Sequence, residues 1–270
     1  MLQRKFHGIT SPIRLLPDFI VIGAKRCGTT SLYHYFGLHP SIRRSTHDHL
    51  GFFDDNYHLG SQFYRSFFPT VFEKRLCIKK TGMFATYDVT SSYIQDPKIA
   101  KRIHSIFPQI KLIAILRNPA DRAYSEYNLQ LRSDPNMRDF KFYVKNEMLE
   151  IENDERNGLV IDAKLFSSGK KNYLRKGFYF EQLVPWFSLF PKNNIYIIST
   201  EQLGKNPDDV MKCIFDFLGF PNYQINTEKR HEKGNYKIMN NDIRELLQKF
   251  FESRNKKLYE LIGKNFEWNK

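Results

Sequence analysis

The chain has too few cysteines to be held together by them. Cys27, Cys77 and Cys213 are an odd number, and no pair has metal-ligand spacing. A disulfide framework and a cysteine-built metal site are set aside, and a reducing compartment is the natural setting. Long apolar runs are missing as well: the best stretches, such as Lys111–Leu116, are strand-sized, and Met1 to Pro17 alternates basic and apolar residues. Neither pattern suits a signal peptide or a membrane span, so a soluble, cytoplasmic protein with no integral membrane segment is expected. No internal repeat, low-complexity segment or strong domain boundary is visible, and 270 residues suit a single α/β domain over 1–270. Acidic residues are scarce: 29 Asp and Glu face 42 Lys and Arg, a net charge of +13. Such a balance calls for an anionic partner, whether nucleic acid, anionic lipid, polyanionic glycan or a phosphorylated small molecule. The cations are spread along the chain with no purely basic block, which argues against a nucleic-acid-binding tail.

Enough apolar residues are present, 41%, to build a core. Phe19–Gly23 is a β-branched run ending in glycine, and Lys111–Leu116 and Ile195–Ser199 are similar buried strands, with another at Phe84–Val89. Helices are expected from Thr29 to Gly37 and from about Pro119 to Leu131. Ile243, Leu246, Leu247, Phe250 and Phe251 recur at helical spacing and the pattern resumes at Leu258, Leu261 and Ile262, giving a C-terminal amphipathic helix. Strands alternating with helices predict a parallel sheet with right-handed crossovers. Asp154 to Lys176 is polar and poorly periodic, a candidate loop or lid.

The segment Gly23-Ala24-Lys25-Arg26-Cys27-Gly28-Thr29-Thr30-Ser31 joins the first strand to a helix. Glycine lets a backbone approach an anion, and a helix N-terminus offers free N–H groups and the positive end of its dipole. Lys25, Arg26 and the hydroxyls of Thr29, Thr30 and Ser31 add charge-assisted hydrogen bonds. An ordinary N-capped helix would need neither two adjacent cations nor two glycines. The Walker pattern of nucleoside triphosphatases, G-x-x-x-x-G-K-[ST], matches at Gly23 and Gly28, but Thr29 stands where its lysine belongs. The Lys111–Leu116 strand runs into Arg117 where a magnesium-binding aspartate would stand. A strand-end arginine offers a planar fork to a phosphate, and Ser125 lies about two helical turns further on. Arg122 and Ser125 are three apart and can share a helix face.

Gly23–Ser31 resembles the 5′-phosphosulfate loop of sulfotransferases that use 3′-phosphoadenosine-5′-phosphosulfate (PAPS), roughly G-x-x-K-x-G-T-T-S-L. Arg117-Asn118-Pro119 with Arg122, Tyr124 and Ser125 resembles their 3′-phosphate motif, in which Arg and Ser are eight positions apart. The bacterial and heparan-sulfate-type carbohydrate sulfotransferases are the nearest look-alikes. Lys176-Gly177-Phe178-Tyr179, Phe52-Phe53-Asp54 and Asn255…Leu258-Tyr259…Phe266-Glu267-Trp268 are weaker echoes of them. The resemblance implies a P-loop-like three-layer α/β fold with a central parallel sheet flanked by helices. It also implies a PAPS cleft at the strand C-termini, transfer to a hydroxyl or amine of a carbohydrate or other small acceptor, 3′,5′-diphosphoadenosine (PAP) as product, and no metal. Lys25, Arg26, Cys27, Gly28, Thr29, Thr30 and Ser31 would hold the 5′ end. Arg117 and Ser125 would hold the 3′-phosphate, and Lys233-Gly234-Asn235-Tyr236 would be a loop closing over the nucleotide.

Two departures matter. The family's loop lysine is replaced by Arg26, with Lys25 beside it, so alignment favours Arg26 for the cation at the leaving oxygen while Lys25 stays open. Relatives carry a catalytic Glu three residues before the Phe-Phe-Asp run, and here that position is His49. A neutral imidazole can take a proton from a hydroxyl, which makes His49 the candidate base, with His47, Asp48 and Asp88 as alternatives. Two other classes compete with this reading: a P-loop kinase or NTPase, and a non-catalytic polyanion-binding protein with a degenerate site.

Overall fold

The computed structural model describes residues 8–159, 172–225 and 236–268. Five strands, β1 Phe19–Gly23, β2 Ile42–Arg44, β3 Ala85–Val89, β4 Lys111–Leu116 and β5 Ile195–Ser199, form one sheet in the order β2-β3-β1-β4-β5. Every pairing is parallel. A parallel sheet is covered on both faces, so its central strands read as unbroken apolar runs. All five residues of β1 are buried, as are five of the six of β4.

Helices make the crossovers and flank the sheet: α1 Thr29–Phe36, α2 Gly60–Arg65, α3 Val71–Thr81, α4 Pro97–Ile106, α5 Pro119–Ser133, α6 Phe140–Arg156, α7 Tyr179–Leu189, α8 Thr200–Lys205, α9 Pro207–Leu218 and α10 Asn241–Ile262. Several start where local chemistry favours it. The Asp96 and Asn118 side chains accept N–H bonds at the N-caps of α4 and α5, each followed by a proline at the first helical position. The sheet and its crossovers enclose one core, and a second cluster joins α5, α6 and α10 around Tyr127, Phe140, Val144, Tyr173, Leu247 and Phe251.

The three apolar strands, the strand at 85–89 and the C-terminal helix stand where the sequence pattern places them. The first helix stops one residue short of Gly37, and the helix after β4 runs two residues past Leu131. The expected lid at Asp154 to Lys176 needs correction at both ends. Asp154 to Arg156 is the last turn of α6, and Asn172, Tyr173, Leu174 and Arg175 are buried. Glu147 causes this: its carboxylate accepts the backbone N–H groups of Tyr173, Leu174 and Arg175 at 2.7–2.9 Å, tying the segment to α6. The middle of the segment lies outside the described residues.

β1 lies between β3 and β4: the chain leaves it toward β2, returns to β3 and then crosses to β4 on its other side, reversing the strand order there. The C-terminal ends of strands at such a reversal open a crevice. The turns after β1, β3, β4 and β5 all meet there.

Candidate active site

A cleft of about 650 Å³ opens at those strand ends, lined among others by Lys25, Arg26, His49, Arg117, Ser125 and Tyr236. Gly28, Thr29, Thr30 and Ser31 line it from the β1–α1 turn. Gly28 is the N-cap of α1 with φ +98°, and no side chain caps the helix. A left-handed φ is natural for glycine and strained for other residues, and the first turn of a helix carries N–H groups without intrahelical partners. At Gly23, φ +151°, a Cβ would lie 2.6 Å from Ile94 Cγ2; glycine is needed there for the chain to leave β1.

The cations converge. Arg26 Nε and Nη2 donate to Ser125 Oγ at 3.3 and 3.2 Å, and Arg117 Nη2 donates to the Tyr236 hydroxyl at 3.4 Å. Burial would raise the Tyr236 phenol, but its hydrogen bond to Ser125 and the charges of Arg117 and Arg26 pull it below its ordinary value. Among the described residues neither arginine lies within 4.0 Å of a carboxylate. Two guanidiniums held, among the described residues, by hydroxyls and not carboxylates, beside an uncapped helix N-terminus, make a site for anions.

The backbone is strained at this place. Arg26 (φ +69°) and His49 (φ +56°) are two of the three non-glycine residues with positive φ among the described residues. A side chain in that region costs about 1–2 kcal/mol, a cost that concentrates at functional sites. His49 is exposed on the cleft rim, its N–H donating to Val89 O at 2.7 Å. Asp48 also lines the cleft and accepts from Thr30 Oγ1 at 3.3 Å. His47 is turned away, edge-on to Phe67.

Behind His49, Asp88 is fully buried and accepts from Tyr64 OH at 2.8 Å, Thr90 Oγ1 at 2.8 Å and Tyr93 OH at 3.0 Å. Tyr93 OH in turn accepts the N–H groups of Phe52 and Phe53, and Thr90 Oγ1 that of Gly51. One carboxylate thus fastens the turn that follows His49. Burial pushes it up to about 6, despite the three hydrogen bonds.

Two residues of the motifs are not where the sequence reading puts them. Cys27 does not line the cleft: its thiol is buried 3.6 Å from Tyr179 OH, and burial pushes it up to about 11. Its backbone N–H bonds Ala24 O at 3.2 Å. Arg122 shares a helix with Ser125 but is wholly buried, donating to Glu126 at 2.6 Å and to the Tyr173 carbonyl. Lys233 and Gly234 fall outside the described residues. Two more residues tie the site together: Tyr179, which the sequence reading singled out only within the Lys176–Tyr179 echo, and Thr200, which it passed over. Tyr179 OH donates to Arg117 O at 3.0 Å and lies against Cys27, bridging the two motifs. Thr200 Oγ1 donates to Cys27 O at 2.5 Å and Leu116 O at 2.9 Å. The signal for Thr200 was available, since it follows β5 at the sheet edge where parallel strands deliver functional residues.

A parallel α/β sheet with an anion-binding turn at its reversal point is the P-loop-like architecture. Within that class the chain belongs to the sulfotransferase domain family, whose model matches residues 16–260. It is 25% identical to the membrane-associated sulfotransferase kil1 of Dictyostelium discoideum, over 94% of this chain and 66% of that protein. It is 27% identical to the heparan sulfate glucosamine 3-O-sulfotransferase 3A1 of Mus musculus, over 94% of this chain and 65% of that one. The chain therefore spans just under two thirds of the length of both relatives. Its fold is that of the sulfotransferase from Alicyclobacillus acidocaldarius, with a TM-score of 0.70 at 24% identity, covering 95% of this chain and all of that one. Among the described residues no helix is long and apolar enough to cross a membrane, and no group of three or more metal-ligating side chains is found.

Proposed function

We propose that the chain transfers a sulfuryl group from PAPS to a hydroxyl or amine of a carbohydrate acceptor. The observation that carries this is the convergence in one cleft of the uncapped N-terminus of α1, Arg26 on Ser125, and Arg117 on Tyr236. A nucleotide with anionic groups at both 5′ and 3′ ends suits that pair, and the relative named for heparan sulfate glucosamine supports a sugar acceptor.

In this scheme the N–H groups and hydroxyls of Gly28–Ser31 hold the 5′-phosphosulfate, and Arg117 and Ser125 hold the 3′-phosphate. His49 takes the proton of the acceptor as its oxygen or nitrogen attacks sulfur. The bond from sulfur to the 5′-phosphate oxygen breaks, and Arg26 meets the negative charge left on that oxygen. Fixed cations and positioning carry the catalysis, and no step requires a metal.

Calorimetry with PAP, 5′-AMP and ATP plus magnesium tests the reading. PAP should bind far more tightly than 5′-AMP, and Arg117→Ala should lose about 2–5 kcal/mol for PAP while leaving 5′-AMP unchanged, as for truncating one partner of a desolvated charge pair. Preference for ATP with magnesium, or an Arg117→Ala variant that binds PAP like the parent, would overturn it.

Steady-state kinetics divide the two loop cations. Arg26→Ala should depress kcat more than it weakens PAP binding, because its charge matters most as the leaving oxygen becomes negative. Lys25, exposed on the rim, should matter less. A larger kcat loss in Lys25→Ala would exchange their roles.

A further inference from the structure

The crossover helix α3 turns large apolar side chains outward. Of its eleven residues only Cys77 is buried, while Phe72 is 56% and Leu76 69% exposed. These two are four apart and share a face. At about 100° per residue, Lys79 returns to within about 20° of Phe72 around the helix axis. Arg75 and Lys80 flank the pair on either side. All three cations are exposed. The helix's one acidic group, Glu73, is held at its N-terminal end in a capping box, accepting from Thr70 N at 2.6 Å and Thr70 Oγ1 at 2.9 Å. Lys74 is turned elsewhere, 5.7 Å from the centre of the Phe84 ring. The antiparallel bridge Arg14–Thr70 pins the turn Ser11–Ile13 beside the helix's N-cap, and it leaves Ile13 40% exposed.

We propose that this face of α3 is a docking surface for an anionic lipid bilayer. A folding chain gains by turning large apolar side chains inward, so Phe72 and Leu76, held outward side by side, would gain from an apolar phase that receives them. Its cations need anions beside that phase. An acidic glycan or nucleic acid would satisfy the cations and leave the phenyl and isobutyl groups in water. The surface of an anionic bilayer satisfies both: Phe72 and Leu76 reach the acyl boundary, while Arg75, Lys79 and Lys80 extend along their stems to lipid phosphates and carboxylates. A helix ridge enters a deformable lipid interface without a matching groove. The proposal rests on this surface alone and is independent of the catalytic reading.

Flotation of the full chain with vesicles tests it, comparing pure phosphatidylcholine with phosphatidylcholine containing phosphatidylserine. The parent should bind the anionic vesicles, and more weakly as salt is raised. Each cation contributes roughly fivefold near an anionic membrane, so Arg75→Gln/Lys79→Gln/Lys80→Gln should lose on the order of a hundredfold. Phe72→Gln/Leu76→Gln should lose roughly tenfold or more, from apolar area that no longer leaves water. The matched control Lys249→Gln/Lys256→Gln/Lys257→Gln removes the same charge from exposed sites on α10 and should bind within about threefold of the parent, allowing only for the general field of the chain. In a separate variant, Phe72→Trp, emission should shift to the blue on adding anionic vesicles and be quenched by brominated acyl chains. Equal losses in control and α3 variants would reduce the effect to net charge and overturn the proposal. So would an unchanged Phe72→Gln/Leu76→Gln variant, an unshifted tryptophan, or a parent that binds no vesicles.

Discussion

His49→Ala is expected to lose about a hundred- to ten-thousand-fold in turnover, the usual contribution of a positioned base, while binding PAP like the parent. The cause is local. A neutral hydroxyl attacks sulfur poorly until its proton leaves, and His49 is the imidazole on the cleft rim, held there by a left-handed backbone and an N–H bond to Val89 O. His47→Ala is the matched control, since it changes the same loop and residue type but faces Phe67. Small, equal losses in both would move the role to Asp48, which shares the cleft, or to Asp88. A full loss in His47→Ala alone would place the family register two residues out.

The pH profile tests Asp88, whose carboxyl burial pushes up from 3.8 to about 6. Its sign is clear: the folded chain holds this proton more tightly than the unfolded one, so Asp88 contributes stability that is full below 3.8 and lost as pH rises through 6. Acid therefore does not unfold the protein through Asp88. A rate loss arising there would reflect a loosened turn at Gly51 to Phe53 in an intact fold. An acid limb that persists in the residual activity of His49→Ala assigns it to Asp88.

β1 and β4 were legible because burial on both faces is met there by apolar residues: Phe-Ile-Val-Ile-Gly and Lys-Leu-Ile-Ala-Ile-Leu read as strands whatever lies around them. β2 was not, since Ile-Arg-Arg at the sheet edge buries only its first residue. The phosphate-binding turn was legible through glycine spacing and the cations next to it. Which way each of its side chains points was not. Cys27 lies between Arg26 and Gly28 in the motif, yet the turn sends its thiol into the core. Arg122 shows the same limit on a helix. Spacing says that it can share a face with Ser125 and cannot say whether that face meets the cleft or a buried carboxylate. Tyr179 joins the loop to Arg117 across more than sixty positions, and no local pattern reports such a contact.

Glu126→Ala should cost about 3–5 kcal/mol of stability, the usual result of stranding one member of a buried ion pair. Glu126 lies with Arg122 at 2.6 Å and Lys176 at 2.7 Å, the two carboxylate oxygens divided between them. Burial alone would raise the carboxyl, but the charges of Arg122 and Lys176 outweigh it and bring it down to about 2. The linkage sign is therefore opposite to that of Asp88. This group's contribution is present above 4.5 and lost as pH falls through about 2. Removing the carboxylate leaves the Arg122 guanidinium wholly buried, with its Nε already lacking a partner among the described residues. Lys176, 14% exposed, has a route to water that Arg122 lacks. In thermal melts the loss should appear as a fall on the order of 10 °C. A double-mutant cycle shows whether the pair itself stabilises the fold or only its breaking harms it. Arg122→Met/Glu126→Leu removes both charges and keeps apolar volume, so most of the loss should be recovered, as buried pairs replaced together often cost nothing. A double variant as unstable as the sum of its singles would mean that the pair's bonds to Tyr173 and Lys176 hold α5 in place. PAP affinity should then fall with stability, because Arg122 lies on the same helix as Ser125.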